Sequence, residues 1–256
     1  MTMQRKAIFL DIDGTLNYDR PIPSAANREA IRRARTEGHA VLLCTGRSMR
    51  CIPAPLLAAA AFDGVVAGGG AYVQIGERVI RSVCLSPDVL RRVCACYLRE
   101  GTPCVLEGET EMFLIGHVGY RESDWKPVSA PDDFDRRYVG ARISKLTIDG
   151  AVPPDILALL RRDFEVIQHP GYAEALPLGC GKAVGMQAAL AELGIPRENS
   201  VALGDSRNDL DMLRYAGLGI AMGNAPDEVK AAADAVTLSC SADGVAAAIR
   251  RYVLEE

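Results

Sequence analysis

Short apolar runs rich in β-branched residues alternate with alanine-rich helical segments toward both ends of the 256-residue chain. In the first third the order is strand, helix, strand, as "KAIFL", "SAANREAIRRARTEG" and "AVLLC". The same kind of alternation returns later in "KAVGMQAALAELG", "SVALGD" and "NDLDMLRYAG". These strands are apolar at nearly every position, which is typical of parallel strands that are buried on both faces. The pattern predicts an α/β fold with a parallel sheet covered by helices.

The middle of the chain follows a different pattern. A predicted helix over "PDVLRRVCACYLREG" precedes two short strands, and a strand, a helix and two further strands follow later. We therefore expect an inserted α+β domain at residues 84–179 and an outer domain formed by residues 1–83 and 180–256. The stretch from Gly116 to Gly140 has no clear assignment. An inserted domain leaves a cleft beside the outer one, which is a common place for a small-molecule site.

Composition argues against several classes of partner. The net charge is -4, with 49% hydrophobic and 24% charged residues, whereas nucleic-acid binding relies on clustered Lys and Arg. The opening "MTMQRKAIFLDIDG" is typical of neither a signal peptide nor a membrane span. We expect no nucleic-acid or membrane partner, a cytoplasmic location and reduced thiols at the eight cysteines. A homodimer formed through exposed surfaces of the inserted domain stays open.

Acidic and polar residues follow the predicted parallel strands at the points where the strands end. Ligands of open parallel sheets bind beyond the carboxyl ends of the strands, so these residues should converge. Two adjacent carboxylates repel each other unless a cation balances them, and oxygen ligands without nearby His or Cys favour Mg²⁺. The residues are Asp11, Asp13, Thr45, Gly46, Asp205, Asn208 and Asp209, together with Lys182 at the start of a helix.

Carboxylates, one lysine, one hydroxyl and glycine turns are the groups that phosphoryl transfer through an aspartyl-phosphate requires. Four stretches, "DIDGTL", "CTGR", "GK" and "GDSRND", resemble the four motifs of the haloacid dehalogenase (HAD) superfamily. Their order and the long insertion resemble the Cof-like, type IIB branch of its phosphatases, as does "IAMGNAPDEVKAAADAVT" at residues 220–237. The resemblance implies a Rossmann-like core with an inserted cap that sets substrate specificity.

The resemblance also implies a role for each matching residue. Asp11 would be the nucleophile and a ligand of Mg²⁺. Asp13 would be the general acid/base, with its main-chain carbonyl on the metal. Lys182 would stabilise the charge of Asp11 and of its phosphorylated form.

The remaining motif residues would hold the phosphoryl group and the metal. Thr45, the Gly46 N–H and Asn208 would contact phosphate. Asp205 would complete the metal site, with Asp209 supporting it. The chain departs from the family pattern at Gly69-Gly70-Ala71, where the Cof-like pattern often has Asn-Gly-Ala.

Substrate choice is expected to rest with the inserted domain. Lys145 is the main candidate for contacting a phosphate ester, although on an alternating strand it could equally face solvent. Further cationic and aromatic candidates are Arg121, Trp125, Arg136, Arg137 and Arg142. The expected substrate is a small phosphorylated metabolite such as a sugar phosphate, a nucleotide or a phosphorylated cofactor. A phosphomutase and a catalytically weak phosphate-ester-binding protein stay open as alternatives.

Overall fold

A computed structural model describes residues 4–16, 22–117, 124–169 and 171–256. The chain divides into two compact units. The outer unit comprises Met1–Gly46, Ile52–Arg81 and Gly181–Glu256, and the inserted unit comprises Arg47–Cys51 and Ser82–Cys180.

Strands and helices alternate along much of the described chain. The strands are β1 (Ala7–Leu10), β2 (Ala40–Cys44), β3 (Gly64–Ala67), β4 (Tyr72–Ile75), β5 (Arg78–Ser82), β6 (Cys104–Gly108), β7 (Met112–Ile115), β8 (Lys126–Pro127), β9 (Ile143–Asp149), β10 (Phe164–His169), β11 (Tyr172–Pro177), β12 (Ser200–Gly204), β13 (Leu218–Ala221) and β14 (Ala235–Val236). The α-helices are α1 (Ala25–Thr36), α2 (Ala54–Ala60), α3 (Pro87–Glu100), α4 (Asp133–Arg136), α5 (Pro154–Leu160), α6 (Lys182–Leu193), α7 (Leu210–Tyr215), α8 (Asp227–Ala232) and α9 (Gly244–Tyr252).

The sheet of the outer unit has the strand order β14-β13-β12-β1-β2-β3-β4-β5. The strands from β14 to β3 pair in parallel, which confirms the predicted parallel core. The sequence reading missed β4, which pairs antiparallel with β3, and the edge strand β5. The chain reverses after β3 through Gly68–Gly70, whose glycines all have positive φ. Such a turn replaces the helical crossover that a parallel neighbour needs.

Helices cover both faces of this sheet. All four residues of β1 are buried, and because successive strand residues point to opposite faces, neither face is open there. Phe9 and Leu42 pack with Met186 of α6 in one core cluster. Ser24 caps the N-terminus of α1, since its side chain accepts a hydrogen bond from the Asn27 N–H at 3.0 Å.

The inserted unit has its own sheet, in the order β10-β11-β9-β6-β7-β8. One face packs against α3, where Tyr97 lies with Phe113 and Leu146 in a core cluster. A smaller cluster on the other face contains Val105, Met112, Leu114 and Trp125. The helix and strands that the sequence predicts for this region are confirmed as α3, β6, β7, β9, α5, β10 and β11.

None of the helices in the described residues combines the length and the apolar character needed for a membrane span. α3 has 14 residues, compared with the roughly 20 that cross a bilayer core. The eight cysteines all lie in the described ranges, and each is a thiol rather than half of a disulfide.

Candidate active site

Three adjacent parallel strands deliver polar residues to one edge of the outer sheet. β1 lies between β2 and β12. Asp11 follows β1, Thr45 follows β2, and Asp205 follows β12. The carboxyl ends of these strands therefore bring together residues that are far apart in the sequence.

Lys182 connects the end of β1 with the loop after β12. It is the first residue of α6 and is only 2% exposed. Its Nζ donates to Asp11 Oδ1 at 2.7 Å, to Asp209 Oδ1, and to Asn208 Oδ1 at 3.4 Å. Burial acts to lower the pKa of Lys182, but the charges of Asp11 and Asp209 outweigh it and hold that pKa well above its usual value. The ammonium is therefore a fixed positive charge beside Asp11.

Asp209 shapes the loop after β12 from a fully buried position. Its Oδ2 accepts from the main-chain N–H groups of Asp205 at 3.0 Å and Ser206 at 2.9 Å. Ser206 and Asp209 form a reciprocal capping box at the start of the short helix Arg207–Asp209. The second carboxylate oxygen of Asp209 faces Lys182. Asp209 thus fixes the backbone that presents Asp205.

Asp205 lies against the loop that follows β1. Thr15 Oγ1 donates to Asp205 Oδ1 at 3.0 Å. Gly14 has φ +83°, and a Cβ at this position would lie 2.2 Å from Asp205 Oδ2. Only glycine allows this approach. Asp13 is on the same loop and is exposed, whereas Asp11 is buried.

A glycine turn positions Thr45 and the start of α6. Thr45 is buried; its N–H donates to Val66 O at 2.8 Å and its carbonyl accepts from the Gly69 N–H at 3.0 Å. A Cβ at Gly70 would lie 2.0 Å from the main-chain oxygen of Gly181. The turn geometry is thus formed by the Gly-Gly sequence, without the asparagine that the family pattern often has there.

The carboxylates fit a divalent cation. Asp11, Asp205 and Asp209 each offer an oxygen, and these oxygens lie within 4.8 Å of one another. Burial raises the pKa of Asp11 well above its usual value; Lys182 opposes this effect, and Asp209 and Asp205 add to it. Burial and the Asp209 charge raise the pKa of Asp205 to about 6. The three carboxylates carry more negative charge than Lys182 balances, and a hard cation with oxygen ligands compensates such an excess.

The structure assigns other contacts to most of the candidates in the inserted unit. Trp125 is buried in the small cluster on the sheet. Arg136 pairs with Asp132 at 2.9 Å, Arg142 pairs with Glu109 at 3.1 Å, and Arg137 lies over the Tyr138 ring. Arg121 lies outside the described residues. Each described candidate thus has a contact within the inserted unit, and its contact with substrate stays a prediction.

Lys145 belongs to a buried charge network rather than to a solvated surface. It is 4% exposed, and its Nζ lies 2.5 Å from Glu174 Oε1 and 3.3 Å from Glu107 Oε1. His169 Nε2 lies 3.1 Å from the other oxygen of Glu174, and Thr147 donates to Glu107. The open question of whether Lys145 faces solvent is thereby answered, and its contact with substrate stays a prediction.

Comparison with known proteins decides the family. A sequence model of the haloacid dehalogenase-like hydrolases matches residues 8–249. The chain belongs to this family. This hydrolase is 32% identical to the 5-amino-6-(5-phospho-D-ribitylamino)uracil phosphatase YcsE of Bacillus subtilis, over 99% of this chain and 100% of that protein. It is 26% identical to the phosphoglycolate phosphatase of Methanothermobacter thermautotrophicus, over 97% of this chain and 99% of that protein.

Solved structures show the same likeness. The HAD subclass IIB sugar phosphatase BT4131 superposes with a TM-score of 0.82 at 26% identity, covering 96% of this chain and 98% of that one. The resemblance to the Cof-like, type IIB branch is thus confirmed, together with the α/β fold class. This hydrolase is a phosphatase.

Sequence reasoning missed three residues that support this arrangement. Ser206 was detectable, because Ser-x-x-Asp is a capping pattern at a helix start. Thr15 lies inside the first quoted motif, but its bond to Asp205 depends on a residue 190 positions away. Asn224 donates to the main chain of Gly14, and nothing in its local sequence indicates that partner.

Proposed function

We propose that this chain is a Mg²⁺-dependent phosphatase that hydrolyses small phosphate monoesters through an aspartyl-phosphate on Asp11. The observation that supports this most is the position of Asp11. Its carboxylate is buried, one oxygen accepts from Lys182 at 2.7 Å, and two further carboxylates lie within 4.8 Å. Lys182 is the positive partner that a nucleophilic carboxylate needs to remain ionised in a buried site, and the two further carboxylates suit a cation that would add to this effect.

Asp11, Asp13 and Lys182 have different roles in the proposed reaction. Asp11 attacks phosphorus, and the leaving oxygen takes a proton from Asp13. Asp13 then removes a proton from the water that hydrolyses the phosphorylated Asp11. Lys182 stabilises the negative charge of Asp11 in both states. The exposure of Asp13, in contrast to the burial of Asp11, suits a group that exchanges protons with substrate and water.

Phosphate binding is assigned to the turn after β2 and to the loop after β12. Thr45 and the Gly46 N–H hold the transferring phosphoryl group, and Asn208 contacts its oxygens. The Oδ1 of Asn208 accepts from Ser206 Oγ at 2.7 Å and faces Lys182. Because the amide oxygen of Asn208 faces Ser206 and Lys182, its NH₂ group points away from them and is the end proposed to donate to phosphate.

The metal would be held by Asp11, the main-chain carbonyl of Asp13, Asp205 and Asp209. Mg²⁺ supplies charge neutralisation for the phosphate dianion when it is bound. The donor set supports Mg²⁺ because the cluster consists of carboxylates, which hard cations prefer over imidazole or thiolate.

Residues 84–179 are proposed as the cap that selects the substrate, with Lys145 as a substrate-binding residue. The buried network of Lys145, Glu107 and Glu174 offers both a cation and carboxylates. The relatives named above act on a phosphoribitylamino-uracil, on phosphoglycolate and on sugar phosphates. Small phosphate monoesters, such as a sugar phosphate, a nucleotide or a phosphorylated cofactor, are therefore the proposed substrate class.

The test is phosphate release from a panel containing sugar phosphates, nucleoside monophosphates, phosphoglycolate and the phosphoribitylamino-uracil. Each ester is incubated with and without Mg²⁺, using wild type, Asp11→Asn and Asp227→Asn. Asp227 is exposed in the first turn of α8, so its variant controls for the loss of one carboxylate. We expect Mg²⁺-dependent release that Asp11→Asn abolishes and Asp227→Asn retains.

Three other outcomes would contradict the proposed function or the proposed nucleophile. Conversion of an ester to an isomer without free phosphate would indicate a mutase. Ester binding without turnover would indicate a binding protein. Near wild-type release by Asp11→Asn, with a folded protein by circular dichroism, would show that the nucleophile is wrongly assigned.

A further inference from the structure

Asn224 connects three loops of the outer unit although it is itself exposed. Its Nδ2 donates to the main-chain oxygen of Gly14 at 2.9 Å, and its Oδ1 accepts from the Cys240 N–H at 2.8 Å. It follows β13, where the Met222 N–H donates to Gly204 O at 3.0 Å. Asn224 therefore links the segment after β13 to the loop after β1 and to the main chain at Cys240.

The orientation of the Gly14 peptide affects two neighbouring residues of the candidate active site. This peptide lies between Asp13, the proposed acid/base, and Thr15, which donates to Asp205. A Cβ at Gly14 would lie 2.2 Å from Asp205 Oδ2, so Gly14 and that carboxylate are already in close contact. A small rotation of this peptide changes the placement of Asp13 relative to Asp205.

Main-chain hydrogen bonds also hold both ends of this loop. The Asp11 N–H donates to Leu203 O at 3.1 Å, which fixes the start. The N–H groups of Thr15 and Leu16 donate to Ile12 O at 3.3 and 3.0 Å, which closes the turn on itself. The bond from Asn224 reaches Gly14, in the middle of the loop, from a segment 210 positions away in the sequence.

We propose that Asn224 is a positioning residue, which holds the Gly14 peptide so that Asp13 and Asp205 keep their productive placement. The proposal rests on the function proposed above for the same site. Asn224 does not contact the reacting atoms and acts through Gly14. Because the bond is exposed, its loss should affect the reaction and the metal site more than the stability of the fold.

Two variants separate the bond to Gly14 from the bond to Cys240. Asn224→Ala removes both. Asn224→Asp keeps an oxygen that accepts from the Cys240 N–H but replaces the donor to Gly14 O with a second acceptor. Asn27→Ala is the matched control, because Asn27 makes a comparable long-range bond, accepting from the Ala246 N–H at 2.9 Å.

Four quantities are measured for each protein: kcat and KM with the best ester of the panel, Mn²⁺ affinity by calorimetry without substrate, and Tm. For both Asn224 variants we expect kcat to fall about 10–100-fold, as for other residues that orient metal-site ligands. KM should change by less than about threefold, because ground-state substrate binding is not involved. Mn²⁺ affinity should fall in Asn224→Ala, while Asn27→Ala should lower Tm and leave kcat and Mn²⁺ affinity unchanged.

The outcomes distinguish this proposal from the proposed function. Wild type without phosphate release would count against the proposed function, and Mn²⁺ affinity would still test the role of Asn224. An active wild type with kcat and Mn²⁺ affinity preserved in Asn224→Ala would overturn the positioning role. Loss of kcat in Asn224→Ala but not in Asn224→Asp would also overturn it, by assigning the effect to the Cys240 bond.

Discussion

Lys182 and Lys145 are both buried, and each lies between two carboxylates, but their surroundings differ. Lys182 pairs with Asp11 and Asp209 beside a third carboxylate, Asp205. Lys145 pairs with Glu107 and Glu174, and there His169 adds a hydrogen bond to Glu174. The first arrangement has an excess of negative charge that suits a metal, whereas the second is closed by protein groups. The Lys145 network therefore joins the neighbouring strands β6, β9 and β11 of the inserted unit, and the contact of Lys145 with substrate stays a proposal.

The Lys145 network should make the inserted unit sensitive to acid. Burial acts to raise the pKa of Glu174, but the His169 hydrogen bond and the Lys145 charge outweigh it and lower that pKa to about 2. A lowered pKa contributes stability that is fully present above the unfolded-state pKa, near 4.5, and is lost as pH falls toward 2. We expect the free energy of unfolding of wild type to fall by up to about 3 kcal/mol from this group over that range.

Urea unfolding between pH 2 and 6 checks this expectation. Glu174→Gln should be less stable than wild type near pH 6, and the difference should shrink as pH falls. Glu165→Gln, at an exposed position of β10, is the control and should follow wild type. A gap between wild type and Glu174→Gln that does not depend on pH would contradict the assignment.

At the scale of elements, the turn at Gly68–Gly70 sets the distance between β3 and the start of α6. Gly70 has φ +86°, and a Cβ there would lie 2.0 Å from Gly181 O. Gly38 has φ +92° but has no atom within 4 Å of the same added Cβ. The two glycines therefore have the same backbone requirement and differ in packing.

Replacing each of these two glycines with alanine should distinguish the cost of backbone strain from the cost of a steric clash at the added Cβ. Both variants carry the left-handed cost of about 1–2 kcal/mol. Gly70→Ala should lose about 2 kcal/mol or more beyond that, because backbone must shift, and it should also lose phosphate release because Gly181 precedes Lys182. Urea unfolding and phosphate release measure the two effects. Equal stability of Gly70→Ala and Gly38→Ala would show that the turn tolerates movement.

The helices and central strands were predictable because their signals are local. The Ser24 cap of α1 and the unbroken apolar runs of β1 and β12 identify these elements without knowledge of the fold. β4 and β5 were missed because their strands are short and partly exposed, at the edge of the sheet. The pairing of β4 with β3 depends on a turn of glycines with positive φ. The Gly-Gly-Gly sequence indicates a turn there, but it does not determine which way the chain continues.

The sequence was sufficient to predict which residues form the candidate site. It was not sufficient to predict the contacts and distances between them. The motif residues Asp11, Lys182 and Asp205 follow strands or begin a helix, and the structure brings them together. The bond from Asn224 to Gly14 spans 210 positions, so no local pattern reveals it. The roles assigned to these residues stay predictions until the variants are measured.

At the scale of the whole molecule, a ligand that binds only the folded chain must raise its stability. A Mg²⁺ concentration about 100 times the dissociation constant adds roughly 2.7 kcal/mol. Because Asp205 is a proposed ligand, Asp205→Asn should show a smaller rise in Tm with Mg²⁺ than wild type. Glu174→Gln should keep the full rise, since its change lies outside the proposed metal cluster.

Differential scanning calorimetry with and without Mg²⁺ at constant ionic strength makes this measurement. Addition of EDTA should reverse the rise. An equal rise in wild type and Asp205→Asn would mean that the cation acts elsewhere on the protein.

The order of strands in the outer sheet also has a consequence for biosynthesis. β1 lies at the centre, but Ala7 pairs on one side with Ser200 of β12. At about 5–20 residues per second, roughly 10–40 s of translation separate these two strands. During that time one edge of β1 has no native partner, while the strands of the inserted unit are synthesised and pair with one another. The strands of the inserted unit are therefore synthesised before β12, the strand that completes the outer sheet beside β1.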